Sequence, residues 1–265
     1  MYSGFQLAKK YLNYYFTSHN GKGHGTHSPF VFDFIIHVLN DSTKYDSYNK
    51  IEYVRKQLLQ NNSEIEVEDF GAGSALIPFK RRKIRDIARS SLKKKKYAQL
   101  LFRISKYYQS KTLIELGTSL GITTSYLALS GANSTVYTLE GSKNIAAIAI
   151  ENFDKSHLKN IQLIQGNFEK TIPPLVAKIE SVDLLFVDGN HRKQPTIEYF
   201  KTFLKKSNTQ SIFILDDIHW SKEMEEAWEV IKQHDSVTLS IDLFFIGLVF
   251  FSHDFKVKQH FTIRF

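Results

Sequence analysis

From residue 112 onward, the sequence alternates short β-type runs with helical patterns five times in succession. Such alternation is typical of βαβ units, in which each helix returns the chain so that successive strands lie parallel. Two later runs have no helix between them and predict an antiparallel hairpin, followed by a short final strand. The chain is therefore predicted to be an α/β protein with a mostly parallel sheet. The predicted strands are 112–116, 135–140, 160–165, 182–188, 211–216, 237–243, 247–252 and 260–264.

The region before residue 110 has a different, mainly helical pattern. Helices are predicted at 5–16, 30–39, 51–60 and 84–108, with no low-complexity linker among them. A chain of 265 residues suits one large domain, or one domain with an appendage. We therefore predict an N-terminal helical region, residues 1–108, which forms a substrate or lid layer on a core of residues 109–265.

The loop after the first predicted strand contains two glycines four residues apart. An apolar run reaches Glu115, passes through Gly117 and Gly121, and becomes a helical pattern. Such glycines let a small ligand approach the backbone. The N-terminus of the following helix offers N–H groups and a partial positive charge to an anion. The spacing is a weak signal by itself, so its meaning depends on the strand ends that follow.

Polar side chains suited to a nucleoside follow the next two strands. In doubly wound sheets, ligands bind at the carboxyl ends of the strands, near the switch in strand order. Glu140 ends the second strand, and its carboxylate can accept hydrogen bonds from both hydroxyls of a ribose. Asn167 and Phe168 follow the third strand and offer an amide and an aromatic ring beside an adenine-sized site. Together these positions predict a nucleoside-binding edge of the sheet.

With the glycine loop, these residues resemble the class I S-adenosylmethionine-dependent methyltransferases over about residues 110–265. The resemblance implies S-adenosylmethionine as the cofactor. It also implies a Rossmann-like, seven-stranded sheet in the order 3-2-1-4-5-7-6, with the strand at 112–116 numbered 1. The cofactor-binding residues that it implies are Glu115, Gly117, Thr118, Ser119, Gly121, Glu140, Gly141, Asn167, Phe168 and Asp188.

The ends of the fourth and fifth strands are similar to those of the catechol and caffeoyl-coenzyme A type of O-methyltransferase. That group surrounds a divalent cation with acids, and Asp188, Asp216 and Asp217 stand in the matching places, which implies Mg²⁺. The group usually has a lysine three residues after the first acid, where this chain has His191. We expect His191 to be the general base, assisted by Asp188. Alternatively, the acids only accept hydrogen bonds from loop amides, and Asp217 caps a helix.

A basic segment, residues 80–96, has ten Lys or Arg side chains and one acid, a net charge of +9 in a chain of net charge +8. Such a segment suits RNA, an anionic lipid or an acidic substrate, although most charge runs are solvated surface. An RNA methyltransferase that contacts phosphates through this segment is therefore an alternative to O-methylation of a small hydroxylated molecule.

A protein that binds S-adenosylmethionine without catalysis is a second alternative. A nicotinamide dehydrogenase is a third, although Thr118 and Ser119 crowd the loop for a pyrophosphate.

Two further loops have several interpretations. Asp69, Gly71 and Gly73 look like an acidic glycine loop, but no strand ending in an acid follows about 20 residues later, so a turn or a wall of the substrate site is expected. The loop that contains His19, His24 and His27 has three interpretations: a metal site formed by a pair of histidines, a lid over the substrate, or an ordinary turn.

Composition limits the remaining classes. The chain has no cysteine, which excludes disulfides and thiolate chemistry. Its longest apolar run, residues 243–251, is far shorter than the roughly 20 residues of a membrane span. We expect a cytoplasmic protein without a membrane span that acts on a small molecule, either as a monomer or as a homodimer.

Overall fold

The computed structural model describes residues 1–25, 27–68 and 80–265, with only the backbone of Lys80. In this part of the chain the helices are α1 (Gly4–Thr17), α2 (Pro29–Phe34), α3 (Asp46–Gln60), α4 (Ile84–Ser91), α5 (Lys95–Tyr107), α6 (Ile122–Leu129), α7 (Lys143–Lys155), α8 (Phe168–Lys178), α9 (Lys193–Leu204) and α10 (Lys222–Lys232). The strands are β1 (Glu64–Val67), β2 (Lys80–Lys83), β3 (Thr112–Leu116), β4 (Thr135–Glu140), β5 (Ile161–Gln165), β6 (Leu184–Val187), β7 (Ile212–Asp216), β8 (Leu239–Asp242), β9 (Ile246–Phe250) and β10 (Gln259–Thr262). A π-helical turn, Ile35–Leu39, follows α2.

By its internal contacts, the chain forms two compact units. The central unit is Ser42–Ile179, and the split unit combines Met1–Asp41 with Glu180–Phe265. These bounds differ from the predicted division after residue 108, which stays a prediction.

The central unit holds three parallel strands in the order β3-β4-β5. Their register pairs Glu115 with Thr138 and Glu140 with Gln165. Leu113, Ile114 and Leu116 of β3 are fully buried, because both faces of a parallel sheet are covered by helices. The predicted order 3-2-1 is therefore confirmed, and the carboxyl ends of these strands meet at one edge.

The N-terminal part of the central unit packs against α5 and α6. Ile51, Leu58 and Ile87 of α3 and α4 share a hydrophobic core with Leu120 and Tyr126. Leu120 lies in the glycine loop, so its burial in this core fixes the glycine loop against α3 and α4.

Two details of this layer were not predicted correctly. The helix expected at 84–108 is two helices, α4 and α5, because the backbone is extended at Leu92 and Lys94. The break was not predicted because the side chains keep a helical periodicity across it. The hairpin of β1 and β2 was missed because its strands are charged rather than apolar. Its register places Glu64 opposite Lys83 and Glu66 opposite Arg81, and opposite charges across a strand pair are stabilising.

The split unit holds five strands in the order β6-β7-β9-β8-β10. β7 is parallel to β6 and antiparallel to β9, which forms the predicted hairpin with β8. The predicted order 4-5-7-6 is therefore confirmed. β10 pairs in parallel with β8 and is a strand beyond the seven that the resemblance implied.

Helix α1 is fixed to the residues that follow β10 in the split unit. The Tyr14 hydroxyl donates to the carbonyl of Ile263 and accepts from the N–H of Phe265 at 3.1 Å. Tyr14 is buried, whereas Phe5 and Phe16 on the same helix are exposed. No helix in the described part of the chain is long and apolar enough to cross a membrane.

Candidate functional site

The glycine loop after β3 has a left-handed backbone at three positions. φ is +107° at Gly117, +49° at Ser119 and +79° at Gly121. A Cβ on Gly121 would lie 2.5 Å from Cε1 of Phe153, whose ring packs against the loop. Gly121 is therefore required for two independent reasons, its backbone angle and the absence of space.

The start of α6 keeps its backbone N–H groups available on this loop. Gly121 is the N-cap of α6 and supplies no side-chain cap. The N–H groups of Gly117 and Thr118 instead donate to the carbonyl of Leu139, at 3.0 and 3.1 Å, which ties the loop to the end of β4. The arrangement joins a positive helix terminus to a loop whose one large side chain, Leu120, is buried, as an anionic group of a ligand requires.

Glu140 faces the glycine loop. One carboxylate oxygen accepts from the N–H of Ser119 and the other from the N–H of Ser142, both at 2.9 Å. Burial raises the pKa of this carboxyl, while the N–H groups of Ser142, Ser119 and Gly141 oppose the shift. Each oxygen keeps a further lone pair that a sugar hydroxyl can use. The position that the sequence assigned to ribose binding therefore carries a fixed carboxylate fork beside the loop.

Glu115 lies beneath the loop and is completely buried. One of its oxygens accepts from the hydroxyls of Thr124 and, at 2.6 Å, Thr138. The Thr138 hydroxyl is also 2.6 Å from that of Thr118. Glu115 therefore holds β3, β4, α6 and the loop together from below. Thr124 and Thr138 were not predicted as site residues, because only the β3–β4 register brings Thr138 opposite Glu115.

The third strand end also lies in the central unit. Asn167 caps α8, since its side-chain oxygen accepts from the N–H of Glu169 at 2.9 Å, and Phe168 is half-buried. The backbone of Gly166 donates to the carbonyl of Glu140 at 2.8 Å. The Gly141 carbonyl accepts from the side chain of Gln165 at 3.0 Å. The residues just before the predicted amide and ring are thus tied to the Glu140 region by one backbone and one side-chain hydrogen bond.

The predicted catalytic pair lies in the split unit, just after β6. Nε2 of His191 is 3.7 Å from Oδ1 of Asp188, and the His191 side chain is about one-third exposed, at 34%. The backbone of Asn190 and His191 is left-handed, with φ of +69° and +34°. The Asn190 side chain donates to the hydroxyl of Tyr199 on α9 at 3.0 Å. Consecutive residues in this sparsely populated region are typical of functional loops.

The three proposed metal ligands do not form a ready-made metal site. In residues 1–25, 27–68 and 80–265, no group of three or more His, Asp or Glu side chains is arranged to hold a metal ion. Asp216 is buried, and Asp217 follows it with a left-handed φ of +54°. A metal site formed by Asp188, Asp216 and Asp217 stays a prediction, and the methyl transfer proposed below uses no metal.

A charged cluster in the split unit was not predicted. Both ring nitrogens of His219 face carboxylates, Nε2 at 2.7 Å from Asp242 and Nδ1 at 3.0 Å from Glu225. Glu225 also accepts from the Tyr2 hydroxyl at 2.6 Å and from the Lys10 ammonium at 2.9 Å. No sequence signal points to this cluster, because its members are up to 240 residues apart.

The other sequence motifs have separate outcomes. Asp69, Gly71 and Gly73 lie outside the described residues. His19 donates its backbone N–H to the carbonyl of Thr262 at 2.8 Å, which fixes that end of the histidine loop to β10.

The basic segment forms part of β2, α4 and the start of α5, and its lysines at 94–96 are exposed. Some of its arginines are paired locally: Arg81 lies 3.6 Å from Glu66, and Arg85 and Arg89 lie 3.6 and 3.7 Å from Asp86.

Comparison with known proteins identifies a methyltransferase domain. A family described by that name matches residues 114–218, which include the glycine loop, Glu140 and the Asp188–His191 loop. A tRNA (guanine-N(7)-)-methyltransferase of Mycoplasma mobile is 34% identical over 107 residues. That match covers 38% of this chain and 53% of the relative, so the chain spans about half the length of the curated protein.

Solved structures share the fold. An O-methyltransferase from Bacillus cereus in complex with SAH is 19% identical, with a TM-score of 0.56, over 80% of this chain and 93% of that chain. A putative caffeoyl-CoA O-methyltransferase from Staphylococcus aureus is 14% identical, with a TM-score of 0.55, over 63% of this chain and 88% of that one. The resemblance to the class I methyltransferases is confirmed at the level of the domain and its fold.

Proposed function

We propose that the chain transfers a methyl group from S-adenosylmethionine to a hydroxyl oxygen of a small molecule. The observation that carries this proposal is the Glu140 carboxylate, held by the N–H groups of Ser119 and Ser142 at the glycine loop. A carboxylate fixed on two sides has its remaining lone pairs oriented for the two hydroxyls of a ribose. The solved O-methyltransferases with the same fold support the choice of oxygen as the acceptor atom.

The remaining cofactor contacts follow from the same loop. The N-terminus of α6, reached through Gly117, Thr118, Ser119 and Gly121, suits the carboxylate of the methionine part. Asn167, Phe168 and Gly141 suit the adenine side. Glu115 is a positioning residue in this account, because its buried carboxylate holds the loop through Thr124 and Thr138.

S-adenosylmethionine supplies an activated methyl on a sulfonium, so this chain has to orient the acceptor and remove its proton. As the acceptor oxygen bonds to the methyl carbon, the carbon–sulfur bond breaks and its electron pair neutralises the sulfonium. We assign the released proton to Nδ1 of His191, the ring nitrogen that does not face Asp188. The Asp188 carboxylate, 3.7 Å from Nε2, would stabilise the imidazolium that forms.

The base role of His191 is tested by substitution. His191→Gln should lower kcat by about 10²-fold or more, with little change in affinity for S-adenosylmethionine, because only proton removal is lost. His37→Gln is a matched control, since His37 also pairs with an acid, Asp33 at 2.9 Å, on an exposed helical surface. Turnover by His191→Gln within about threefold of the wild type would exclude a base role of this size.

The acceptor class is tested with S-adenosylmethionine labelled in its methyl group. Purified protein is incubated with a panel of phenols and aliphatic alcohols, in one arm with Mg²⁺ and in another with EDTA. Label in an acid-stable ether product supports the proposal. Cofactor binding without transfer to any hydroxyl compound would instead point to a protein that binds S-adenosylmethionine without this chemistry.

Methylation of tRNA is a second candidate, favoured by the Mycoplasma mobile relative and by the exposed lysines at 94–96. Bulk tRNA is therefore included as an acceptor in the same assay. If RNA is the substrate, it takes up the label, and its binding falls steeply between low and moderate salt because phosphate contacts release counterions. Binding that does not change with salt would remove this candidate.

A further inference from the structure

Helix α1 exposes an apolar stripe on the side that faces away from the rest of the split unit. Its members recur every three or four residues and therefore share one face of the helix. This outer stripe consists of Phe5, Ala8, Leu12, Tyr15 and Phe16. All five side chains are exposed, Phe5 at 81% and Phe16 at 75%. None of them has a role in the methyl transfer proposed above.

The opposite side of α1 is already packed against the split unit. Tyr11 and Tyr14 contact the ring of Phe244, with centroids 5.1 and 5.2 Å apart. The Lys10 ammonium on this side pairs with Glu225 at 2.9 Å. A surface helix normally buries one apolar face and turns polar side chains outward. Because α1 is apolar on both sides, the outer stripe is available for a second surface.

The outer stripe is large for an exposed patch but small for a protein–protein interface. An aromatic side chain offers about 150–250 Å², so the outer stripe exposes roughly 400–600 Å² of mostly apolar surface. Patches of this size mark interaction sites. A stable protein–protein interface covers about 800 Å² on each partner, which is more than the outer stripe provides. A lipid surface has no such minimum, because it takes up the apolar face of a single helix.

The charges around the outer stripe are positive. Residues 1–32 contain three lysines and no Asp or Glu. Lys9 is exposed at the edge of the outer stripe. The guanidinium of Arg264 lies over the ring of Tyr15, 4.2 Å from its centroid. The charge of this face is therefore complementary to that of anionic lipid headgroups.

A second copy of the chain fits this face less well. In a symmetric dimer centred on the outer stripe, Lys9 would lie close to its own counterpart, because residues near a two-fold axis face themselves. Like charges across an interface oppose association. At a lipid surface, by contrast, the Lys9 ammonium reaches the headgroups while its aliphatic stem covers apolar surface.

We propose that the outer stripe binds the surface of a membrane that contains anionic lipids. In this arrangement α1 lies in the plane of the interface, with the rings of Phe5 and Phe16 among the acyl chains and Lys9 among the headgroups. The binding is peripheral and does not depend on the cofactor assignment.

The test is co-sedimentation of the full chain with vesicles of phosphatidylcholine alone and of equal parts phosphatidylcholine and phosphatidylglycerol. The wild type should bind the mixed vesicles, and more weakly as salt rises, because salt screens the attraction to the headgroups. Phe5→Ser/Phe16→Ser should bind them about tenfold or more weakly, since two inserted rings are lost. Val257→Ser is the matched control, because Val257 is nearly as exposed as Phe16 but precedes β10, and it should bind like the wild type.

A second set of variants separates insertion of α1 from attraction to the basic segment, residues 80–96. Binding through that segment would survive Phe5→Ser/Phe16→Ser and be lost in Lys94→Ser/Lys95→Ser, and this result would overturn the proposal. In Phe16→Trp, the emission of the added tryptophan should shift to shorter wavelength with the mixed vesicles, because the ring leaves water. Val257→Trp should show no such shift.

Sedimentation velocity without vesicles tests the alternative occupant. A dimer of the wild type that Phe5→Ser/Phe16→Ser disperses, together with no binding to the mixed vesicles, would assign the outer stripe to a second copy and overturn the proposal. A wild type that stays monomeric and binds the mixed vesicles through Phe5 and Phe16 would support it.

Discussion

Replacing Gly121 with alanine tests whether the glycine loop is as constrained as its geometry implies. A left-handed backbone costs a non-glycine residue about 1–2 kcal/mol, and the φ of Gly121 is +79°. The new Cβ would also lie 2.5 and 2.8 Å from two ring atoms of Phe153 and 3.3 Å from Cβ of Ala149. Overpacking of this kind costs about 1–3 kcal/mol. Gly121→Ala should therefore lower the free energy of unfolding by about 2–5 kcal/mol.

The assay is urea denaturation, read by circular dichroism, of Gly121→Ala and of a control, Gly131→Ala. A Cβ at Gly131 would meet its nearest atom, Cβ of Ser134, at 3.6 Å, which is ordinary contact. Gly131→Ala should therefore be neutral or more stable by up to about 1 kcal/mol, since alanine restricts the unfolded chain. In a Phe153→Leu background the steric part of the Gly121→Ala effect should shrink while the backbone part remains. Equal unfolding free energies for Gly121→Ala and Gly131→Ala would refute this account of the loop.

Two further predictions concern buried polar groups. Thr138→Val should lower the free energy of unfolding by about 1–3 kcal/mol, because the buried Glu115 carboxylate loses a donor; Thr135→Val, at the start of the same strand, should cost less, and equal losses would contradict the network. For His219, burial lowers the pKa, but its two carboxylate partners outweigh this, so the pKa is raised above the ordinary 6.5. Its stabilisation is therefore fully present below about pH 6.5 and is lost as the pH rises through the higher folded-state pKa. Chemical denaturation across that range should show the loss in the wild type and a flatter profile in His219→Gln, whereas identical profiles would contradict the assignment.

The sheet was predictable because hydrophobic runs and helical periodicity alternate with regular spacing after residue 112. The bounds of β3 and β4 were predicted without error, since both strands are buried and end at turns. The strand pair β1–β2 was not predicted, because its strands pair opposite charges, Glu64 with Lys83 and Glu66 with Arg81, instead of burying apolar side chains. The eighth strand was expected only as a short final run, and its parallel pairing with β8 depends on tertiary contacts.

The candidate site was predictable where a residue's position at a strand end decides its role. Glu140 follows this rule, and its carboxylate faces the glycine loop as expected. The role of Glu115 was harder to predict, because it depends on hydrogen bonds from Thr124 and Thr138, which the sequence does not bring together. The His219 cluster could not be predicted at all, since its partners come from α1, α10 and β8.

The most direct test of the central claim is the affinity of the purified chain for S-adenosylmethionine, measured by calorimetry for the wild type, Glu140→Ala and Glu151→Gln. The wild type should bind S-adenosylmethionine and not NAD. Glu140→Ala should bind about 10–100-fold more weakly, because one or two hydrogen bonds to a charged group are lost. Glu151→Gln, at an exposed acid of α7 paired with Lys155, should bind like the wild type. No binding by the wild type, or equal affinity in Glu140→Ala, would contradict the account.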